Sequence, residues 1–241
     1  MIEPHILDLV FGRWQKRCRL SKDDRAAIAA LPHTRRTFAR DSYIVREGET
    51  PTHCGLLLRG FAYRQKIVRE GARQIISIHI RGEFIDLQNA LLGEADHSVQ
   101  SLEETEVALI PVAALSELAV ARPTVGRAMW LDTLVDSSVF REWVVNVGRR
   151  NATSRIAHLL CELSIRLQAS GDDQERTCEF PLRQDQLADA TGLTAVHTNR
   201  VLQSLRKQGL ISLTSRSLTI LDWTRLKELG EFNERYLHHA A

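Results

Sequence analysis

The sequence lacks the features that mark proteins of membranes and of oxidising compartments. No apolar run approaches the roughly 20 residues that a membrane-spanning helix needs. The start of the chain carries Glu3, His5 and Asp8 where a secretory signal would have a basic stretch. The four cysteines show no C-x-x-C spacing, so neither a zinc ribbon nor a disulfide framework is indicated. We therefore expect a cytoplasmic protein with reduced thiols and no membrane partner.

The motifs of several common enzyme classes are also absent. The chain has no P-loop, no G-x-S-x-G elbow and no H-E-x-x-H helix. A cupin-type enzyme holds a metal in a small β-roll with clustered histidines and carboxylates, and it is disfavoured because no H-x-H occurs. The sequence therefore predicts no catalytic residue, no metal site and no cofactor.

What is present indicates two soluble globular domains. The length of 241 residues suits two compact units with a connector, and 44% of the residues are hydrophobic. Between residues 36 and 112, short runs rich in Ile, Val and Leu are broken by glycines, which predicts a small antiparallel barrel or roll. Ile76, Ile78 and Ile80 alternate there with polar residues, so His79 is predicted to lie off the core face.

A long helix is predicted over residues 122–150, with Pro123 near its start. Its broad apolar stripe consists of Trp130, Leu131, Leu134, Val135, Val139, Trp143, Val144 and Val147. The stripe could pack against its own domain or form a subunit interface. The interface is favoured because two tryptophans enlarge the stripe and the small Ser138 interrupts it. After a cap at residues 151–154, a further helix is predicted over residues 155–167.

The segment from Gln184 to Leu210 has the spacing of a helix-turn-helix. Leu187 and Ala190 are expected to face inward on a short first helix, and Gly192 supplies a sharp turn in which a Cβ would be strained. Thr194 can cap the second helix. Three apolar residues would hold the second helix against the first, namely Val201, Leu202 and Leu205.

The outer side of the second helix carries residue types that read DNA. The residues expected to meet the major groove are Thr194, Ala195, Val196, His197, Asn199 and Arg200. Arg200 can bond guanine O6 and N7 or brace a phosphate, and Asn199 can pair with adenine N6 and N7.

A hairpin is predicted after the two helices. Residues 210–213 and 218–221 read as strands, and the turn between them, residues 214–217, would bring Arg216 to a phosphate. From Arg183 to Arg216 the basic residues exceed the acidic ones, although the whole chain has a net charge of only +2. The alternative is a helix-turn-helix shape with a solvated basic surface that binds no DNA.

The order of these parts, and the string QDQLADATGLTAVHTNRVLQSLRKQGLISL, resemble the Crp/Fnr family of bacterial transcription regulators. Gly48, Gly60 and the turn at residues 82–85 look like the family's β-roll, and the string GRRNATSRIAHLLCEL looks like its hinge. The resemblance implies an α+β chain with a cyclic-nucleotide-binding-domain-like β-roll sensor, a dimerisation helix with its hinge, and a winged helix-turn-helix DNA-binding domain. The corresponding boundaries are 1–121, 122–152 and 153–241.

The resemblance also implies a mechanism and its partners. A small-molecule effector or a redox event in the β-roll would reorient the paired recognition helices of a homodimer, which then bind a palindromic promoter operator and recruit RNA polymerase. Val196 stands where many members have a base-reading glutamate, so we expect a different operator. Effector identity, operator sequence and the choice between activation and repression stay open.

Two departures from the family pattern bear on the effector. Where its cyclic-nucleotide binders have a Gly-Glu pair and an Arg-Ser pair, this chain has Asp86, Leu87, His97 and Ser98, which form the candidate effector pocket. Leu87 cannot accept a hydrogen bond from the ribose hydroxyl, and a neutral His97 is a poor substitute for arginine. Cyclic AMP is therefore not expected to act. The family's iron–sulfur branch needs clustered N-terminal cysteines, and only Cys18 precedes residue 50.

The remaining histidines and cysteines have ordinary interpretations. His53, His79 and His97 are expected to be solvated or hydrogen-bonded rather than ligands of haem or a metal. Cys161 should pack in the core, whereas Cys178 is a candidate redox-sensitive thiol. The alternative function, a β-roll ligand-binding signalling protein without DNA binding, leaves the C-terminal motif unexplained.

Overall fold

The computed structural model describes residues 6–168, 170–171, 175–214 and 216–238. The helices are α1 (Asp8–Gln15), α2 (Lys22–Ala29), α3 (Asn89–Leu92), α4 (Val112–Ala121), α5 (Pro123–Arg149), α6 (Ala152–Arg166), α7 (Gln184–Thr191), α8 (Ala195–Lys207), α9 (Trp223–Leu229) and a 3₁₀ turn, Glu234–Leu237. The strands are β1 (Thr34–Phe38), β2 (Tyr43–Val45), β3 (His53–Arg59), β4 (Ala62–Ile67), β5 (Arg73–His79), β6 (Ser98–Ser101), β7 (Thr105–Pro111), β8 (Ser170–Gly171), β9 (Arg176–Glu179), β10 (Ile211–Leu213) and β11 (Ser217–Ile220).

These elements form two compact units. One consists of Met1–Lys66, Ser77–Ser138 and Leu237–Ala241, and the other of Ile67–Ile76 and Val139–Tyr236. The division falls inside α5, and the boundaries drawn from the sequence at residues 121 and 152 stay a prediction. No helix in the described part of the chain is long and apolar enough to cross a membrane.

The first unit contains the predicted antiparallel roll. Its two sheets have the strand orders β1-β7-β3 and β2-β6-β4-β5. Apolar side chains from both sheets pack together, among them Phe38 and Val107 from the first sheet and Val45 and Val99 from the second. This buried layer forms one apolar core between the two sheets.

Two N-terminal helices that the sequence analysis did not predict complete this unit. Trp14 of α1 is 1% exposed and stacks on Phe84 with ring centroids 5.7 Å apart. Helix α2 begins with a capping box in which Ser21 and Asp24 exchange hydrogen bonds of 3.0 and 3.1 Å. The S-x-x-D spacing was the sequence signal for this helix start.

The predicted placement of His79 off the core face is wrong. His79 is 2% exposed, and its neighbour Ser77 on β5 is buried as well. Strand β5 is covered on both faces, because the side that the alternation marks as polar meets charged groups of the same unit, including Arg64 and Glu83. Burial, followed by the nearby Arg64 charge, lowers the pKa of His79 to about 4, so the ring is neutral near pH 7.

Helix α5 divides the predicted apolar stripe between two faces. Val135, Val139 and Trp143 are buried within the chain. A second set of apolar residues on the same helix is exposed, namely Trp130, Leu134, Phe140, Val144 and Val145. The helix therefore packs within its own chain and still presents an apolar surface to solvent.

The second unit is built on α6, which begins at Ala152 rather than at the predicted residue 155, with its cap at Asn151 inside the predicted segment 151–154. The Asn151 side chain accepts hydrogen bonds of 3.0 Å from the backbone N–H groups of Thr153 and Ser154. At the centre of α6, the fully buried carboxylate of Glu162 accepts hydrogen bonds from three side chains: Trp143 Nε1 at 3.0 Å, Tyr236 Oη at 2.9 Å and Arg166 Nη1 at 2.9 Å. A buried carboxylate is tolerated only with such partners, and these join α5 and the C-terminal segment to α6.

Candidate nucleic-acid interface

The helix-turn-helix is formed by α7 and α8. Leu187 and Ala190 of α7 are 1% and 2% exposed, as predicted. Gly192 has φ = 63°, a left-handed conformation that favours glycine, and Thr194 Oγ1 accepts a hydrogen bond of 3.2 Å from the backbone of His197. The turn and the cap predicted from the sequence are therefore both present.

Helix α8 has one buried and one exposed face. Val201, Leu202 and Leu205 are buried, so the helix is held against its neighbours as predicted. The predicted DNA-facing residues are all exposed: Thr194, Ala195, Val196, His197, Asn199 and Arg200. Their roles in DNA binding stay predictions, but no core contact prevents these side chains from reaching a groove.

A groove of about 400 Å³ lies beside this exposed face. It is lined by Thr153, Thr194, Val196, His197, Arg200, Val201 and Ser204. Thr153 belongs to the first turn of α6, where the helix dipole favours an anion. Within the described residues, Arg200 makes no hydrogen bond or ion pair, so its guanidinium is available to a base or a phosphate.

The predicted wing is a hairpin of β10 and β11. These strands pair antiparallel, with Ile211 opposite Ile220 and Leu213 opposite Leu218. The predicted turn residue Ser215 lies outside the described residues. Arg216 differs from Arg200, because its Nη2 donates to Glu179 Oε1 at 2.5 Å on the neighbouring strand β9. A phosphate contact by Arg216 would compete with this pair.

The four residues of the candidate effector pocket have separate surroundings. Asp86 Oδ1 accepts a hydrogen bond of 2.8 Å from the Gly55 backbone, and Leu87 packs in the apolar core around Trp14. Ser98 Oγ accepts a hydrogen bond of 3.0 Å from the Glu47 backbone. Burial raises the pKa of Asp86 to about 6.

His97 instead lies at the end of a hydrogen-bond relay that starts at Arg64. The Arg64 guanidinium, which is 10% exposed, donates to Asp136 of α5 and, at 3.2 Å, to Gln88 Oε1. Gln88 Nε2 lies 3.3 Å from His97 Nε2, and His97 Nδ1 lies 2.6 Å from Asp96 Oδ1. The structure thus brings His97 together with four residues that the sequence analysis did not place in the pocket, namely Arg64, Gln88, Asp96 and Asp136.

The direction of this relay fixes the protonation of His97. A guanidinium only donates, so the Gln88 oxygen must face Arg64 and the Gln88 amide N–H must face His97. His97 Nε2 then accepts, and Nδ1 carries the proton that it donates to Asp96. Burial, followed by the nearby Arg64 charge, also lowers the pKa of His97, in agreement with a neutral ring.

Two family models match the chain in the order of its parts. A cyclic nucleotide-binding domain matches residues 35–122, and a Crp-like helix-turn-helix domain matches residues 154–229. The chain belongs to the Crp/Fnr family. The α+β architecture expected from the resemblance, with a roll, a long helix and a C-terminal helix-turn-helix, is confirmed.

Other Crp/Fnr proteins align with most of the chain. The transcriptional activator protein FnrL of Cereibacter sphaeroides is 23% identical over 214 residues, which cover 87% of this chain and 85% of the relative. The nitrogen fixation regulation protein FixK of Azorhizobium caulinodans is 24% identical over 224 residues, covering 90% and 89%. Among solved structures, FixK2 from Bradyrhizobium japonicum has a TM-score of 0.74 at 23% identity, covering 83% of this chain and 98% of that one.

A CooA mutant from Carboxydothermus hydrogenoformans shows that the likeness of fold extends along the chain. Its TM-score is 0.70 at 14% identity, and the match covers 95% of this chain and 97% of that one.

The cysteines of this Crp/Fnr protein are free thiols in the structure. Cys161 is fully buried, as predicted. Burial, followed by the charge of Glu179, raises the pKa of Cys178 to about 11, which disfavours the reactive thiolate. No cluster of three or more His, Cys, Asp or Glu residues that could hold a metal occurs among the described residues.

Arg64 is the residue of the roll that sequence reasoning missed. It stands on β4 in the run AYRQKI, where the pattern of burial does not alternate, so periodicity gave no sign that its side chain is buried. Its partners Gln88 and Asp136 lie 24 and 72 residues further along the chain. Only the fold brings these residues together.

Proposed function

We propose that this protein regulates transcription as a homodimer that binds a palindromic promoter operator and contacts RNA polymerase. Asn199 and Arg200 of α8 would read bases in the major groove, while Arg216 of the wing would contact a phosphate. The observation that carries this proposal is the exposed Arg200, which has no partner among the described residues and lies beside a groove on the outer face of a helix-turn-helix.

Selection of bound DNA from a random pool by the purified protein, with no ligand added, tests this function. Recovery of a two-fold symmetric sequence is the expected result, because a dimer places two equivalent recognition helices on two half-sites. The rival function, a roll that binds a ligand and signals without DNA, predicts that no sequence is enriched.

The homodimer is inferred from the exposed face of α5. Trp130 is 68% exposed and Leu134 is 47% exposed, one helical turn apart on the same surface. Apolar side chains at this spacing are suited to pair with the same helix of a second copy. Val135, adjacent in sequence, is buried within its own chain, so it is not a suitable site for testing the interface.

Replacing Trp130 and Leu134 together with Asp should convert the dimer to a monomer, because the charges would lie in the shared seam. Light scattering measures the result. Val120→Asp is the matched control, because Val120 is 83% exposed on α4 and should tolerate a charge without changing the mass. A Trp130 and Leu134 variant that stays dimeric at micromolar concentration would contradict the interface.

We further propose that the roll does not respond to cyclic AMP. Arg64 is already occupied by Asp136 and Gln88, His97 is neutral, and Leu87 packs in the core. A cyclic phosphate would have to displace these internal bonds in order to reach the Arg64 guanidinium. Calorimetric titration with cyclic AMP and cyclic GMP should show no binding at micromolar concentrations, and clear heats of binding there would overturn this proposal.

A further inference from the structure

An exposed glutamine at the start of α7 bridges to the recognition helix. Gln184 Nε2 donates a hydrogen bond of 2.7 Å to the backbone carbonyl of Ala195. Asn199 Nδ2 donates a hydrogen bond of 3.2 Å to Gln184 Oε1. One side-chain amide therefore connects the first turn of α8 with the polar side chain on its outer face.

This bridge determines which way the Asn199 amide points. A backbone carbonyl only accepts, so the nitrogen of Gln184 must face Ala195 and its oxygen must face Asn199. The Asn199 nitrogen then faces Gln184, which leaves Asn199 Oδ1 and the second N–H directed elsewhere. Without Gln184, the amide of Asn199 would be free to rotate by half a turn.

The orientation matters for base reading. Adenine presents a donor at N6 and an acceptor at N7 in the major groove, so an asparagine that reads it needs its oxygen opposite N6 and an N–H opposite N7. An amide turned by half a turn would bring donor to donor and acceptor to acceptor.

We propose that Gln184 is a positioning residue that sets the specificity of Asn199 at one base pair of each half-site. The inference rests on the proposed DNA binding and deepens it. Gln184 acts through Asn199, and its removal is expected to blur the choice of one base while most of the affinity remains.

The test uses the full-length protein and the DNA sequence selected by the wild type. Each base pair of one half-site is replaced in turn, and the dissociation constants of wild type, Gln184→Ala, Asn199→Ala and the double variant are compared. Asn199→Ala should reduce discrimination roughly 5- to 150-fold at one base pair. Gln184→Ala should reduce discrimination at that same base pair by about fivefold, the equivalent of one hydrogen bond, and the double variant should match Asn199→Ala.

Controls separate this role from a merely structural one. Gln208→Ala removes another exposed glutamine, whose Nε2 bonds Ser204 Oγ at 3.1 Å at the far end of α8, and should leave every preference unchanged. Gln184→Met keeps the length of the side chain without the hydrogen bonds and should behave as Gln184→Ala. Thermal denaturation checks that all variants are folded.

Each possible outcome distinguishes the two proposals. A loss spread evenly over all base pairs, or no change in Gln184→Ala, would overturn the positioning role while DNA binding by the wild type still stands. If the wild type selects no DNA sequence, the proposed function fails, and this inference fails with it.

Discussion

The interior of the roll and the outer face of α8 each carry an arginine, and the two arginines are in opposite states. Arg64 is 10% exposed and bonded to a carboxylate, an amide and the backbone carbonyl of Ile85. Arg200 is exposed and, among the described residues, bonded to none. Buried polar groups must be satisfied within the protein, whereas exposed ones can exchange water for a ligand. The difference indicates that the guanidinium of Arg200, unlike that of Arg64, is accessible to a partner from outside.

Removing the carboxylate of Asp136 should have the largest effect on the contrast between Arg64 and Arg200. Asp136→Ala would leave the Arg64 guanidinium inside the roll without its carboxylate. Because the Asp136 side chain is 37% exposed, we discount the cost of breaking a fully buried pair and expect the free energy of unfolding to fall by about 2–3 kcal/mol. Urea denaturation measures this change.

The exposed pair of Arg59 and Glu104 is the matched control, since its side chains are 65% and 67% exposed. Glu104→Ala should cost less than about 1 kcal/mol. If the Asp136 and Glu104 variants lose equal amounts of unfolding free energy, the Arg64–Asp136 pair stabilises the roll no more than an exposed ion pair does.

The stability of the roll should depend on pH through two buried groups, His79 and Asp86. The pKa of His79 is lowered from 6.5 to about 4, so its contribution to stability is present above pH 6.5 and is lost as the pH falls towards 4. The pKa of Asp86 is raised from 3.8 to about 6, so its contribution is present below pH 4 and is lost as the pH rises towards 6.

The two contributions oppose each other, and each is limited to roughly 3 kcal/mol by its shift. Asp86→Asn should therefore leave a steeper rise of stability between pH 4 and 6 than the wild type shows, and His79→Gln should leave a fall. Denaturant midpoints at several pH values measure both slopes. Variants with the slope of the wild type would contradict the burial of these groups.

On the DNA side, Arg200→Ala should weaken specific binding by about 1–3 kcal/mol and relax the preference at one base pair per half-site. Fluorescence anisotropy on the selected sequence and its single-base variants measures both effects. Arg206→Ala, at the opposite end of α8, is the control and should keep the base preference. If Arg200→Ala keeps the base preference of the wild type, Arg200 does not read a base.

The smallest expected effect concerns the wing. Since Glu179 pairs with Arg216, Glu179→Gln should free the arginine for a phosphate and tighten binding modestly, with a steeper dependence on salt. Arg216→Ala should lower the salt slope of binding by about one, with base preference kept. A Glu179 variant with unchanged affinity at every salt concentration would show that Arg216 does not reach the DNA.

Local sequence signals predicted the helix-turn-helix well. The capping Thr194, the left-handed Gly192 and the buried Val201 each follow from short-range rules about caps, turns and helical periodicity. The same rules predicted a cap for α6 within residues 151–154, where Asn151 is the N-cap, although the helix begins three residues before the predicted residue 155. The contact of Arg216 with Glu179 escaped prediction because it joins two strands whose pairing depends on the tertiary fold.

The roll was predicted as an architecture but not in its interior. Alternation along β5 placed His79 outside, because a pattern of period two cannot show that both faces of a strand are covered. The relay from Arg64 through Gln88 to His97 depends on residues from separate segments, and no spacing in the sequence indicates it. Helices α1 and α2 were missed although Trp14 and the capping box at Ser21 were visible signals.

Arg64 in the roll is bonded within the protein, whereas we propose that Arg200 on the recognition face binds DNA. The most direct test of this contrast is the affinity of the purified protein for its selected operator, measured with and without saturating cyclic AMP. We expect a dissociation constant of roughly 10⁻⁸ to 10⁻¹¹ M without ligand. Cyclic AMP should not change this value, because a ligand with no differential affinity for the DNA-bound state shifts nothing. Specific binding that appears only when cyclic AMP is present would contradict it.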